Sequence, residues 1–126
     1  MAVCSKHGLD SPGICNGETM WDEIGTLRGR KLYTLGRGEE FEVLEVTSSS
    51  VTVQPSSSGS KRIISKRCFD DAFAVLADDG QIDLVGIRRY NEMNPVYIAA
   101  MLAQLPGVEA QRKPKIVLRL PRSRRY

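Results

Sequence analysis

Histidine occurs once in the 126 residues, at His7, and cysteine three times, at Cys4, Cys15 and Cys68. So few imidazoles and thiols leave little from which to assemble acid–base or nucleophilic catalysis, because a Ser/His/Asp or Cys/His device is built around a histidine. An odd number of cysteines at unpatterned spacing fits reduced thiols better than a disulfide framework. Long apolar runs are missing as well. None approaches the ~18 residues that a spanning helix needs, and Met1 to Cys15 lacks the apolar stretch of a signal peptide. The expectation is a cytoplasmic protein with no membrane partner. Aromatic residues are sparse at 6%, yet 41% of the chain is hydrophobic, enough to set it apart from disordered sequences. A chain of this length buries roughly two thirds of its unfolded surface, so neither a disulfide nor a metal is required for a core.

Charge is present in quantity and unevenly placed. Of 18 basic and 15 acidic residues, residues 1–30 hold 3 and 4, 31–60 hold 2 and 4, 61–90 hold 6 and 5, and 91–126 hold 7 and 2. From Ala110 to Tyr126 every charged residue is basic: Arg112, Lys113, Lys115, Arg119, Arg122, Arg124 and Arg125. Such asymmetry raises local affinity for polyanions. Two further basic groups are Lys61–Arg62 with Lys66–Arg67, and Arg88–Arg89 followed by Tyr90.

Hydrophobic periodicity divides the chain into an irregular arm (1–18), a compact α+β domain (19–109) and a basic strand and tail (110–126). Thr19 is placed to cap a short helix in which Trp21, Ile24 and Leu27 recur at threes, with Gly29 to end it. Strands are expected over Lys31–Leu35, Glu40–Thr47, Val51–Gln54 and Lys61–Ile64, joined by glycine- and serine-rich turns. Phe41 and Val43 face opposite to Leu44 and Val46, which predicts either a strand buried on both faces or a bulge that reverses the register. Ser65 caps a helix with Phe69, Ala72, Phe73 and Leu76 on one face and Gly80 at its end. Ile82 and Leu84 alternate as in a fifth strand, and Arg88–Met93 reads as a polar connection. Asn94 and Pro95 open a second helix bearing Tyr97, Ile98, Met101, Leu102 and Leu105. Ile116, Leu118 and Leu120 alternate in a last strand, with Lys115 and Arg119 outward. The fold class is a twisted antiparallel sheet or a small SH3-like barrel of four to six short strands, with two packed helices.

Several constellations were weighed for chemistry. Cys4, His7 and Cys15 give C-x2-H-x7-C, one ligand short of a closed zinc site, so no metal or other cofactor is expected. Acidic pairs (Glu39–Glu40, Asp70–Asp71, Asp78–Asp79) read as turn and helix-end charges. Scattered acids such as Asp70, Asp83 and Glu92 lack the spacing of a divalent-metal nuclease. The serine-rich turns lack the order of a phosphate-binding loop. A helix-turn-helix fails because its ~3–4-residue turn is replaced by the stretch from Gly80 to Met93. What remains is basic: Arg88, Arg89, Arg112, Lys113, Lys115, Arg119, Arg122, Arg124 and Arg125 as phosphate contacts and Tyr90 as a stacking ring. The sequence thus predicts a non-catalytic module that binds DNA or RNA. The rival is a protein-interaction or inhibitor subunit, or a homo-oligomer, acting through the Asn94–Leu105 helix. A small enzyme has the least support.

Overall fold

A computed structural model describes residues 17–112 and 115–120, with the side chains of Gly17 and Glu18 excepted. In chain order the elements are α1 (Gly17–Gly25), β1 (Lys31–Tyr33), β2 (Glu40–Val46), β3 (Ser50–Pro55), β4 (Arg62–Ser65), α2 (Lys66–Asp79), β5 (Gln81–Asp83), α3 (Leu84–Arg88), α4 (Pro95–Leu102), β6 (Glu109–Gln111) and β7 (Val117–Arg119). The fold is α+β, with an antiparallel sheet β1-β2-β3-β4, a smaller antiparallel sheet β5-β7-β6, and helices packed on them.

Of the two alternatives that the sequence leaves for β2, the structure has the bulge. Val43 pairs with Val53 and Glu45 with Thr52, so Leu44 is the extra residue and Val46 returns to the inner face opposite Val51. One inserted residue swaps the faces, which is why apolar side chains on both sides of this segment coexist with a single buried surface. Leu32, Phe41, Val43, Val51, Val53 and Ile64 point into the core. Sequence-based closure into a barrel does not occur, since β1 and β4 remain the two edges of the sheet. With four strands of three to seven residues, the inner face is covered by helices instead of by its own curl. Phe41 meets Tyr97 of α4 edge to face at 5.0 Å, and Phe69 of α2 meets Trp21 of α1 at 5.5 Å.

The longest helix follows its sequence signals closely. Ser65 accepts a hydrogen bond from the Arg67 N–H, Phe69, Ala72, Phe73 and Leu76 are buried, and Gly80 sits at φ +82° with its N–H on the Leu76 carbonyl. Only glycine enters that left-handed conformation without strain. In α1 the helix already begins at Gly17, two residues before the expected Thr19 cap, and ends at Gly25 rather than at Gly29; Met20 and Ile24 are its buried residues, Leu27 is buried in the turn that follows, and Trp21 is half-buried. Asn94 stands at the cap position of α4 but makes no capping bond; its Oδ1 instead accepts from Arg62. Asn91 orders the turn before the helix, its Oδ1 accepting the N–H groups of Met93 and Asn94. Leu84, expected in the fifth strand, opens α3, because the Asp83 carboxylate accepts the Gly86 N–H and caps a short helix. The strand β6 carries no sequence signal. Among the described residues no helix is long and apolar enough to cross a membrane.

Candidate nucleic-acid interface

The second sheet brings together residues that the sequence keeps far apart. β5 and β6 both pair with β7, so Gln81, Arg119 and Glu109 form one cross-strand row and Asp83, Val117 and Gln111 another. Leu118 is fully buried and anchors β7 in the core. Lys115 and Arg119 are exposed, as the alternation predicts. Between this sheet, the end of α2 and α3 runs a groove of about 340 Å³, lined by Val75, Asp79, Gln81, Ile82, Asp83, Gly86, Arg89, Lys115 and Val117. Its volume falls in the range of small-ligand sites, roughly 300–1,000 Å³.

The buried side chains of Ile82 and Val117 lie at the floor of the groove, but most of its accessible lining is polar and includes Asp79, Asp83, Arg89 and Lys115. Asp83 is engaged through both oxygens, Oδ1 by the Gly86 N–H at 2.8 Å and Oδ2 by Lys115 Nζ at 3.3 Å. The bond from the Gly86 N–H and the Lys115 ammonium hold its carboxyl below the usual aspartate range, with slight burial opposing them. Space at Gly86 is tight. A Cβ there would lie 3.0 Å from Ile82 Cγ1 and 3.3 Å from Asp83 Oδ1, so α3 presses its backbone directly onto the β5 side chains. The apposition fixes Arg89 one turn further on, because the Arg89 and Tyr90 N–H groups bond back to Gly86 and Ile87.

Of the predicted phosphate contacts, Arg89 and Lys115 meet at this groove although they come from different basic groups in the sequence. Arg88, Arg112 and Arg119 are also exposed. Arg119 is held by Gln111 Oε1 at 2.7 Å, whereas Arg88, Arg89 and Arg112 form no ion pair with any described residue. Tyr90 is 38% exposed, and its segment is tied to α2, the Tyr90 carbonyl accepting from Cys68 Sγ and Asn91 donating to the same sulfur. Lys113, Arg122, Arg124 and Arg125 lie outside the described residues, as do Cys4, His7 and Cys15.

The remaining basic group has structural work. Arg62 reaches Asn94 at 3.3 Å and lies over the Tyr97 ring, while Lys66 pairs with Asp70 at 2.9 Å and lies over Trp21. The helix expected to serve a protein partner is turned into the core: all of α4 except Val96 is buried. Asp70, Asp83 and Glu92 do not assemble, and among the described residues no three His, Cys, Asp or Glu side chains come together as a metal would need. Sequence reasoning did not find Asp79, Gln81 or the floor residues. Their only advance sign was the capping spacing of Asp83 and Gly86, three residues apart.

Comparison of the chain with known proteins gave no match to a family model, to a curated protein or to a solved structure.

Proposed function

We propose that this protein is a non-catalytic nucleic-acid-binding module that takes the sugar–phosphate backbone at the β5–α3–β7 groove and the basic surface around it. The convergence of Arg89 and Lys115, from distant parts of the sequence, on one groove is the observation that carries this reading. Guanidinium and ammonium groups bind by neutralising phosphates and releasing counterions, which is independent of sequence. Arg88, Arg112 and Arg119 are further exposed cations, and Lys113, Arg122, Arg124 and Arg125 belong to the same basic run of sequence as Arg112 and Arg119. Tyr90, following Arg89 directly and partly exposed, supplies a ring on which an unpaired base stacks. A cytoplasmic site of action accords with the reduced state expected of the three cysteines. The test is fluorescence anisotropy with labelled duplex and single-stranded DNA and RNA at about 50 mM salt, where electrostatic binding is strong. Binding that weakens steadily with added salt is the expected result. Failure of every probe to bind at that salt refutes the proposal.

A further inference from the structure

Two carboxylates line the groove, and only one of them is accounted for. Asp83 is saturated by its cap and by Lys115. Asp79 is exposed on the rim and forms no ion pair or hydrogen bond with any described residue. Its position is also unfavourable for the fold. Asp79 is the last residue of α2, with Asp78 before it and no basic residue in that turn, so it sits at the negative end of the helix dipole, where an acid is unfavourable. A bare carboxylate repels a phosphate as well. In a groove that also carries Arg89 and Lys115, its use is to accept a hydrogen bond from a donor carried by the same ligand.

We infer that the groove holds one unstacked base of a single strand, with Asp79 accepting from an exocyclic amino group while Arg89 and Lys115 hold the adjoining phosphates. The inference rests on the nucleic-acid reading above and adds a base preference to it. Val75, Ile82 and Val117 give the ring apolar contacts within a lining that is mostly polar. Adenine and cytosine present an amino group on the edge that pairs in a duplex, and aspartate is a known type of acceptor for the cytosine N4 amine. Thymine offers there one ring N–H flanked by two carbonyl oxygens, which a carboxylate repels. The site therefore selects amino-bearing bases and rejects thymine.

The experiment uses oligo-dC, oligo-dA and oligo-dT of about 12 nucleotides, a length within the usual site size for single strands, on the full chain and on Asp79→Ala and Asp78→Ala. Wild-type protein is expected to bind oligo-dC and oligo-dA about tenfold more tightly than oligo-dT. Asp79→Ala brings the ratio close to one, chiefly by raising affinity for oligo-dT. Asp78→Ala removes the same charge from the same helix end outside the groove, so it strengthens all three alike and keeps the ratio. Thermal midpoints of both variants equal to or above wild type show that the fold is intact. Equal binding of all three by wild type, or a ratio that survives in Asp79→Ala, overturns the base preference while leaving the general function standing. Absence of binding to all three overturns the single-strand inference, and the duplex probe then decides whether the general function falls with it.

Discussion

Replacing Phe69 by alanine tests the helix packing where its consequences are most visible. Phe69 is fully buried, faces into the core from the first turns of α2 and meets Trp21 of α1 edge to face, with ring planes 62° apart. Trp21 in turn donates its indole N–H to the Thr47 carbonyl at 2.9 Å, so one aromatic contact links α1, α2 and the turn after β2. Truncation of a buried phenylalanine costs about 3–5 kcal/mol, including the ~0.5–1.5 kcal/mol of the ring pair. Against a typical total of about 5–15 kcal/mol, that leaves a marginal domain. In urea, with a slope of about 1.5 kcal/mol/M, the midpoint falls by about 2–3 M. Trp21 is the one tryptophan, so its emission follows unfolding and also reports the lost ring neighbour in the native state. Phe69→Leu keeps most of the volume and should lose less than about 1.5 kcal/mol. A loss below about 1 kcal/mol in Phe69→Ala, or equal losses in both variants, refutes the packing described for α1 and α2.

Gly80→Ala meets no atom within 4 Å but forces an L side chain to φ +82°, so calorimetry should register a loss of about 1 kcal/mol with no change at the groove. Asp83 titrates below its usual range in the fold; its ionised form therefore adds stability above the unfolded value, about pH 4, and this is lost as pH falls through the lower folded value. Thermal midpoints measured from about pH 6 to about pH 3 should fall less steeply in Asp83→Asn than in wild type, and parallel curves would contradict the Gly86 and Lys115 contacts. Tyr90→Ala should weaken single-strand binding by roughly 1–3 kcal/mol and leave its salt dependence unchanged, as stacking requires. An altered salt slope in that variant would assign Tyr90 to the charge surface instead.

Much of the fold was legible because its signals are local. Ser65, the four-residue apolar stripe of α2 and Gly80 are read within one helix, and the three-residue step from Val43 to Val46 narrows β2 to a bulge or burial on both faces, between which the pairing with β3 decides. The misses have the opposite character. α3 spans five residues and contains a glycine, too short to show a 3.6 period, and only the capping carboxylate of Asp83 marks its start. β6 has no buried apolar residue, and its pairing with β7 alone makes it a strand. In α1 the buried position is Met20 rather than Trp21 because both spacings satisfy a helix, and Trp21 instead lies half-buried against Phe69. In the same way Arg89 and Lys115 were each legible as basic, yet their meeting depends on the β5–β7 pairing, which places Asp83 beside Lys115 across 32 residues of sequence. Asp79 looked like an ordinary helix-end charge until the groove gave it neighbours.

The central claim, that Arg89 and Lys115 act as phosphate contacts in one site, is tested most directly by the salt dependence of binding in the double variant Arg89→Ala/Lys115→Ala. Plotted as the logarithm of the association constant against that of salt concentration, wild type should give a straight line. Loss of two contacts should flatten its slope by about 1.4 on a single strand or about 1.8 on duplex DNA. An unchanged slope in a variant that remains folded would contradict the account and place the phosphates elsewhere on the basic surface.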